Sequence, residues 1–350
     1  MTPDMDTASL TLPAKAGQGS ARDIKIAPPV VLAPLAGITD LPFRRVVAGF
    51  GAGLVVSEMV ASQEMAQAKP SVRARARAEL GLGQARTSVQ LAGRDPHWMA
   101  EAARMVEDGG AQVIDINMGC PAKKVVGGMS GSALMCEPDH ALRLIEAVVG
   151  AVSVPVTLKT RLGWDDDSLN AAQLARRAAN AGVRMVTIHG RTRCQFYKGR
   201  ADWAAIADVV AQAGVPVLAN GDIICAQTAR QALAQSGAAG VMIGRGAQGR
   251  PWLLAEVAAE IFGTAPPGIP QGSALADLVA AHYLDTLAFY GETLGIRVAR
   301  KHLGWYAQAA GGCERLRRRM QTTTDPQEVL AILPDALVPA PSPQPAGMAA

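Results

Sequence analysis

Paired cysteines, metal-binding motifs and aromatic residues are scarce in this sequence. Its five cysteines form no Cys-x-x-Cys pair, and their odd number favours reduced thiols in a cytoplasmic setting over a disulfide framework. No His-Glu-x-x-His motif or comparable ligand spacing occurs, so we expect no metal. Aromatic residues make up only 4% of the chain, whereas glycine occurs 36 times. This composition suits tight turns and closely packed helices.

Long uncharged apolar runs and a large excess of one charge are also missing. No stretch is long enough to span a bilayer, and the first residues lack the basic segment and apolar core of a signal peptide. Lysine and arginine number 34 against 30 acidic residues, a net charge of +4, so bulk charge alone does not indicate a nucleic-acid partner. We therefore expect a cytoplasmic globular protein with no membrane contact, and a monomer as the simplest state.

Eight short segments rich in apolar and β-branched residues recur along the chain, separated mostly by segments with helical periodicity. They cover residues 30–37, 53–59, 87–93, 112–119, 154–161, 184–191, 215–222 and 240–246. Alternation of strands and helices indicates a parallel sheet, and eight repeats favour closure into a (β/α)8 TIM barrel. The strands are apolar throughout, as expected where helices and interior cover both faces.

The β pattern ends at Trp252, and the remaining chain has helical spacing of its apolar residues. We expect an α/β protein in which the barrel is followed by a small all-helical domain. The predicted boundaries are a disordered arm over 1–22, the barrel over 23–252, the helical domain over 253–335 and a disordered tail over 336–350.

Each predicted strand ends in polar or glycine residues, and in a barrel these ends share the rim that carries active sites. One such residue alone is more often satisfying a strand end. The loops after the last two strands contain Asn220, Gly221, Asp222, Gly244 and Arg245, a composition that fits a phosphate site. A phosphorylated cofactor such as FMN is our interpretation, and two ordinary glycine-rich turns are the alternative. The Gly-x-Gly-x-x-Gly match at 244–249 follows the last strand, so it does not indicate a dinucleotide-binding sheet.

Three further strand ends carry side chains suited to a flavin ring. Lys159 provides a cation that would stabilise negative charge at the reduced ring, although a lysine at a strand end can also form a surface ion pair. Gln90 has the donor and acceptor needed to hold a ring edge. His189 could contact cofactor or substrate, or bond a loop carbonyl.

Cys120 lies where a buried strand passes into the loop Asn-Met-Gly-Cys-Pro. A thiol at such a rim can donate a proton to a carbon that is becoming carbanionic. A nucleophilic thiolate and an inert buried cysteine are the alternatives. The other four cysteines are assigned to packing or to the surface, and Lys123 and Lys124 either tune the thiol or meet phosphate.

Basic residues cluster in two regions, which bears on the choice of partner. One set follows strands five and six and includes Arg161 and Arg191. The other lies in the helical part and includes Arg317, Arg318 and Arg319. Such stripes neutralise phosphates, and nearby aromatic residues can stack on bases. A solvated helix face is the alternative, but together with a flavin barrel the pattern favours RNA.

Several long motifs resemble the tRNA-dihydrouridine synthase family, in particular its bacterial B-type members. They are APLAGITDLPFR, VVSEMV, VQLAG, DINMGCPAKKVVGGMSGSALM, TLKTRLGW, HGRTRCQFYKGRADW, ANGDI, GVMIGRGAQGRPWL and FYGETLGIRVARKHLGWY, between about residues 30 and 310. The resemblance implies an FMN-bearing barrel, NADPH or NADH as reductant, and tRNA held with the help of the helical domain. The implied reaction reduces the uracil 5,6 double bond of specific uridines.

The resemblance also implies roles for individual residues. Hydride would pass from flavin N5 to C6 of uracil, and Cys120 would protonate C5. The FMN site would contain Pro34, Leu35, Ala36, Gln90, Lys159, His189, Asn220, Gly221, Asp222, Gly244 and Arg245, and substrate would meet Asn117, Arg161, Arg191, Arg317, Arg318 and Arg319. The family more often has Met where this chain has Leu35, a change that a backbone contact tolerates.

Two other functions fit part of the pattern. An FMN oxidoreductase acting on a free pyrimidine, such as dihydroorotate or uracil, accounts for barrel, cofactor and thiol but leaves the basic helical domain without a task. A non-catalytic RNA-binding barrel accounts for the basic residues but not for the combination of Lys159, Cys120 and the phosphate loops. A flavin-dependent tRNA reductase accounts for the barrel, the cofactor site, the thiol and the basic residues together.

Overall fold

A closed barrel of parallel strands dominates the structure, a computed structural model that describes residues 9–15, 22–68 and 87–339. The strands are β1 Leu10–Leu12, β2 Ile24–Ile26, β3 Val30–Leu32, β4 Leu54–Val56, β5 Val60–Ala61, β6 Thr87–Ala92, β7 Val113–Met118, β8 Val156–Arg161, β9 Met185–His189, β10 Val217–Asn220 and β11 Gly240–Ile243. Each of the eight predicted segments contains one barrel strand, so the predicted (β/α)8 architecture is confirmed.

Strand pairing closes the sheet on itself. The parallel order runs from β4 through β3, β11, β10, β9, β8 and β7 to β6, and β4 also pairs with β6. The short strand β5 adds to β6 beyond this closure. Closure brings the carboxyl ends of all eight strands to one mouth, where the predicted polar residues are found.

Helices surround the barrel in the described part of the chain. They span Leu41–Gly49, Ser62–Gln67, Pro96–Asp108, Lys123–Gly127, Pro138–Ala151, Ala171–Asn180, Ile206–Ala213, Ala226–Ser236 and Leu253–Phe262, with 3-10 turns at Gly131–Cys136 and Arg245–Ala247. Pro96–Asp108 shows how the sequence starts such a helix. Asp95 accepts hydrogen bonds from the N–H groups of His97 and Trp98, and Pro96 occupies the first turn, where its missing N–H is not needed.

Side-chain alternation divides the strands between an outer and an inner core. Ile114 and Ile116 of β7 belong to the apolar layer under the helices, whereas Val113 belongs to the cluster inside the barrel. The same alternation turns Asp115 and Asn117 inward. The strands are therefore not apolar on both faces, as the sequence had suggested, because inward positions near the carboxyl ends are polar.

An antiparallel hairpin of β1 and β2 packs against the apolar residues inside the barrel. Leu12 and Ile26 are fully buried in one cluster with barrel residues such as Val31 and Leu218. The prediction of a disordered arm over 1–22 is therefore wrong for residues 10–12, because alternating Leu-Thr-Leu and Ile-Lys-Ile segments place apolar side chains on one face. Residues 1–8 and 16–21 of that arm lie outside the described chain.

The chain divides into two compact units. Of the described residues, the first unit contains those up to Ala247 together with Trp252–Pro267, and the second contains Gln248–Pro251 together with those from Gly268 onward. Helix Leu253–Phe262 thus belongs to the barrel unit rather than to the helical domain expected from residue 253. Its buried leucines pack into the outer barrel core, which makes it the last barrel helix.

The second unit is helical, with helices Gly272–Tyr290, Glu292–Ala309, Glu314–Thr322 and Pro326–Ala336. Part of the expected tail is also ordered, since Pro339 forms a β-bridge with Gly312. Residues 340–350 lie outside the described chain. Within the described residues, no helix combines the length and apolar character required to cross a membrane.

Candidate active site

The polar mouth of the barrel is built from inward-facing residues of neighbouring strands. Strand register places Asn117 of β7 opposite Lys159 of β8, and it places His189 of β9 opposite both Arg161 and Asn220. All five were predicted as site residues from their strand-end positions. The structure therefore brings these predicted residues together.

A chain of hydrogen bonds links two predicted site residues, Gln90 and Asn117, to the buried carboxylate of Asp115. Gln90 Nε2 donates to Asp115 Oδ2 at 2.6 Å, and Asn117 Nδ2 donates to Gln90 Oε1 at 2.7 Å. Thr157 Oγ1 donates to the other oxygen of Asp115, also at 2.6 Å. Sequence reasoning gave Asp115 no role, although an acidic residue within an apolar strand signals that buried partners must exist.

Cys120 is half-buried at the end of this chain, and its backbone is held on both sides. Asn117 Oδ1 accepts from the N–H groups of Gly119 at 3.2 Å and of Cys120 at 3.0 Å. The Cys120 carbonyl accepts from Ser132 N and Oγ at 3.1 and 2.9 Å. Gly131 has a φ of +60°, and a Cβ there would lie 2.8 Å from the Cys120 carbonyl oxygen, so this close approach requires glycine.

Lys159 provides a half-buried cation at the mouth. Its Nζ donates to Asn220 Oδ1 at 2.9 Å, while Asn220 Nδ2 donates to the Met242 carbonyl at 2.8 Å and so fixes the amide orientation. Burial, helped by the charge of Arg161, lowers the pKa of Lys159 to about 8. The lysine is thus held in a desolvated position rather than in a surface ion pair.

Arg161 fastens the Cys120 loop to a second loop. Its Nε donates to the Gly119 carbonyl at 2.8 Å, and Nη1 donates to the carbonyls of Thr192 and Phe196, both at 2.9 Å. Burial lowers the pKa of Arg161 to about 10, so it remains a cation at neutral pH. Within the described residues Nη2 of Arg161 has no hydrogen-bond acceptor.

Arg191 is placed differently from expectation. Its guanidinium pairs with both oxygens of Asp222 at 3.1 and 2.6 Å and donates to the carbonyls of Lys198 and Gly199 at 3.0 and 2.7 Å. Nη1 also lies 3.3 Å from His189 Nε2. Because these bonds occupy all five donors of a side chain that is only 1% exposed, Arg191 braces the 198–199 loop. The predicted contact with substrate finds no support in this geometry.

Asp222 likewise serves as an ion-pair partner. Besides Arg191 it accepts from the Ala201 N–H at 2.8 Å and from Arg245 Nη2 at 3.1 Å. Burial raises its pKa, but these hydrogen bonds and the two arginines outweigh it and hold the pKa below the usual value. An ionised carboxylate repels a phosphate, so Asp222 orients Arg245 rather than contacting a phosphate itself.

His189 is buried and surrounded by cations. Burial, followed by the charges of Lys159, Arg161 and other arginines, lowers its pKa well below the usual value. The imidazole is therefore neutral at pH 7. Because a guanidinium only donates, the 3.3 Å contact with Arg191 makes Nε2 the acceptor and leaves the proton on Nδ1.

Two aromatic residues of the HGRTRCQFYKGRADW motif, Phe196 and Tyr197, also lie at the mouth, and the sequence alone indicated no role for them. Tyr197 lies between the guanidinium carbons of Arg161 at 5.6 Å and Arg245 at 5.2 Å, within the range of cation–π contacts. Phe196 stacks edge-on against Tyr197 at 4.8 Å and has a positive φ of 55°. Both rings are more than 40% exposed, which makes them available to a ligand.

The loop after β3 carries the predicted residues Pro34, Leu35 and Ala36. Pro34 and Leu35 are half-buried and Ala36 is exposed. Glu58, a residue without a predicted role, holds this loop by accepting from the Ile38 N–H at 3.0 Å, and burial raises its pKa. A Cβ at Gly244 would lie 3.6 Å from the Leu35 side chain. The β3 loop and the Gly244 turn therefore line the same part of the mouth.

In the helical unit, Arg317, Arg318 and Arg319 do not present free charges. Arg317 and Arg318 both pair with Glu314, and Arg319 pairs with Glu328. Helical spacing produces the first two pairs, because residues three and four apart are neighbours on a helix. The predicted RNA contact through this triplet is thus weakened by its own acidic partners.

The protein is of the (β/α)8 barrel class, with a half-buried lysine and a thiol at the mouth. A family described as Dihydrouridine synthase (Dus) matches residues 31–340. A probable tRNA-dihydrouridine synthase of Rhodobacter capsulatus is 66% identical over 317 residues, covering 91% of this chain and 97% of the relative. The tRNA-dihydrouridine synthase B of Xanthomonas campestris pv. campestris is 46% identical over 311 residues, 89% of this chain and 93% of the relative. The chain belongs to the dihydrouridine synthase family, as its motifs had indicated.

A solved structure supports the fold independently. Histamine dehydrogenase from Rhizobium sp. 4-9 superposes with a TM-score of 0.54 at 11% sequence identity. The match covers 80% of this chain, but this chain spans only 51% of the length of that one. At such low identity the likeness concerns the fold alone.

Proposed function

We propose that this protein is a tRNA-dihydrouridine synthase that reduces the uracil 5,6 double bond of specific uridines in tRNA. Membership of the family supports the reaction. The observation that carries the proposal for this chain is the register of β7 and β8. It sets Asn117, whose amide oxygen accepts from the Cys120 N–H, opposite the half-buried cation of Lys159. A proton donor and an electrostatic stabiliser thus lie at one barrel mouth.

The mouth is suited to FMN, the cofactor expected from the motifs. Lys159 is a desolvated cation with one protein acceptor among the described residues, which is the arrangement that stabilises charge on a reduced ring. Gln90 and Asn117 add amide edges, and half-exposed Arg245 is held by Asp222 beside the glycine turns. Bound FMN would supply hydride to C6 of uracil after reduction by NADPH or NADH.

The residues of the chain provide the rest of the chemistry. Cys120 delivers a proton to C5, on a loop whose backbone is fixed by Asn117, Ser132 and Arg161. The free Nη2 of Arg161 and the exposed ring of Tyr197 are placed to orient the base. The neutral imidazole of His189 lines the site near Lys159 without adding a charge. Each group acts by position, so the geometry of the loop matters as much as the thiol.

Contact with tRNA requires exposed positive charge that is not already neutralised. Arg297 and Lys301, four residues apart on one helix, and Arg315 are exposed and have no carboxylate partner among the described residues. Lys198 and Arg200 are exposed on the loop next to the mouth. We propose that these residues bind the tRNA backbone in preference to the ion-paired triplet Arg317–Arg319.

The test is the reaction itself with two possible substrates. Unmodified tRNA transcript and free uridine are each incubated with the purified protein, FMN and NADPH, and dihydrouridine is quantified by mass spectrometry. We expect product from tRNA and none from uridine, with Cys120→Ala as the matched control that abolishes it. Equal reduction of free uridine would favour the free-pyrimidine oxidoreductase instead. Absence of product together with tight tRNA binding would favour the non-catalytic barrel.

We further propose that the protein is a cytoplasmic monomer. Gel filtration of the purified protein tests the oligomeric state.

A further inference from the structure

A carboxylate inside the barrel has no cation bound to it. Asp115 is only 2% exposed, and among the described residues its oxygens accept hydrogen bonds from Thr157 and Gln90 but form no salt bridge. Burying a carboxylate costs free energy unless hydrogen bonds or a partner charge offset the loss of hydration. Neither proton delivery by Cys120 nor cofactor binding, as proposed above, assigns a task to Asp115.

The direction of the hydrogen bonds starting at Asp115 is fixed. Both Asp115 oxygens accept hydrogen bonds, so Gln90 turns its NH2 group toward Asp115 and its carbonyl oxygen toward Asn117. Asn117 must then turn its NH2 group toward Gln90, which leaves its oxygen for the N–H groups of Gly119 and Cys120. A buried acceptor at one end of the chain and two backbone N–H donors at the other therefore require the same single orientation of both amides.

We propose that Asp115 is a positioning residue, which orients Gln90 and Asn117 and through them holds the Cys120 backbone in place for proton delivery. The part concerning proton delivery rests on the proposed function, whereas the part concerning loop geometry does not. A flipped Asn117 amide would set its NH2 group against the two backbone N–H donors, and the cap on the thiol loop would be lost. A small displacement of a reacting group is enough to lower a rate strongly.

The pKa of Asp115 is raised above the usual value, and its neighbours oppose that rise. Burial raises its pKa, while the hydrogen bonds from Thr157 and Gln90 and the charge of Lys159 lower it. Lys159 is thus the cation that faces this carboxylate from β8, and in return Asp115 favours the charged form of Lys159. The hydrogen-bond chain and the charge balance are separate effects, and two substitutions separate them.

Asp115→Asn keeps the chain but removes the charge. The Asn oxygen accepts from Gln90, and its NH2 group can donate to Thr157, whose hydroxyl can reverse its role. Asp115→Leu removes the acceptor and leaves Gln90 without direction. Thr157→Val serves as the control, since it removes a hydrogen bond to Asp115 that lies outside the chain to Cys120.

The first readout is the rate at which iodoacetamide alkylates Cys120, followed by peptide mass spectrometry on the protein as purified. We expect Asp115→Leu to change this rate several-fold, as loss of a fixed loop geometry requires, while Asp115→Asn and Thr157→Val stay within twofold of the parent. This measurement needs neither tRNA nor turnover. It therefore remains decisive if the proposed function fails, and an unchanged rate in Asp115→Leu overturns the proposal.

The second readout divides the reaction into halves. In Asp115→Leu we expect flavin reduction by NADPH to remain near the parental rate, and single-turnover transfer to tRNA to fall on the order of 10²-fold, with rescue in Asp115→Asn. Equal losses in both halves, or no rescue by Asn, would indicate a purely structural residue and overturn the positioning role. If Asp115→Leu does not fold, Gln90→Met interrupts the same chain at its middle. It must then change Cys120 alkylation in the same way, and failure to do so also overturns the proposal.

Discussion

Lys159 Nζ donates a hydrogen bond of 2.9 Å to Asn220 Oδ1, joining β8 to β10 across the inside of the barrel. The Asn220 amide is itself fixed by the Met242 carbonyl. The lysine is therefore held in one place, although burial lowers its pKa to about 8. A rigidly positioned cation whose pKa is about 8 makes the site sensitive to pH just above neutrality.

Activity should decline as the pH rises through about 8, because the protonated form of Lys159 is lost there. The sign follows from a pKa that is lowered: the lysine is charged below this pH and neutral above it. Initial rates of dihydrouridine formation between pH 6.5 and 9.5 measure the effect. Lys159→Arg should move this decline upward, because arginine keeps its charge. A profile identical in both proteins would show that another group titrates.

Lys159→Met should stabilise the protein while abolishing its activity. A folded-state pKa of about 8, below the usual 10.5, means that the charged lysine opposes folding at neutral pH. Removing it should raise the free energy of unfolding at pH 7 by about 2 kcal/mol, after allowance for the lost bond to Asn220. The gain should shrink as the pH rises from 8 towards 10.5. Urea unfolding at several pH values checks this, and a destabilised variant at pH 7 would contradict it.

Cys120→Ala should separate cofactor chemistry from proton delivery. The substitution leaves the backbone bonds to Asn117 and Ser132 intact, so we expect flavin binding and its reduction by NADPH to persist. Dihydrouridine formation should fall by about 10²-fold or more, in the range of a lost general acid. Stopped-flow absorbance follows the first step and mass spectrometry of tRNA the second. Undiminished product would exclude the thiol as the acid.

Charge reversal at Arg297 and Lys301 should weaken tRNA binding more than reversal at Arg318 and Arg319. The first pair is exposed without a carboxylate partner among the described residues, whereas the second pair is bound to Glu314 and Glu328. The double variant at 297 and 301 should lose about 1.5 units of the salt-dependence slope, about 0.7–0.9 per phosphate contact. Filter binding at several salt concentrations measures both slopes. A larger effect at 318 and 319 would restore the interpretation based on sequence alone.

Leu12→Ala should destabilise the barrel unit although residue 12 lies far from the mouth in sequence and fold. Leu12 is fully buried against the apolar interior, so its truncation should cost about 2–5 kcal/mol in the free energy of unfolding. Thr11→Ala, an exposed change on the same strand, is the control and should have little effect. Thermal unfolding of both variants tests whether the hairpin is part of the core.

Sequence predicted the eight barrel strands well because β-branched residues bounded by turn residues report a strand locally. It also located Lys159, Asn117 and Cys120, since strand ends in a barrel share one rim. The sequence did not predict which side chains from distant positions form ion pairs or hydrogen bonds with each other. Nothing in the local sequence shows that Arg191 pairs with Asp222 or that Arg319 pairs with Glu328. The spacing from Glu314 to Arg317 and Arg318, by contrast, is a local signal for those two ion pairs.

The hairpin strand β1 escaped prediction for a related reason. Three residues are too few for a periodic signal, and their burial depends on a partner strand more than ten residues away. Asp115 illustrates the opposite limit. Its position in β7 was correct, yet its importance arises only from the bonds to Gln90 and Thr157, which alternation of three neighbouring strands brings about.

The apolar cluster around Leu12 and Ile26 bears on how protons reach Lys159. The buried residues of that cluster are all apolar, so they contain no side chain that could relay a proton, whereas the mouth is lined by polar groups. A substrate bound at the mouth would block proton exchange with solvent, so Lys159 would keep the protonation state that it had when the substrate bound. The enzyme would then register the pH between turnovers rather than during them.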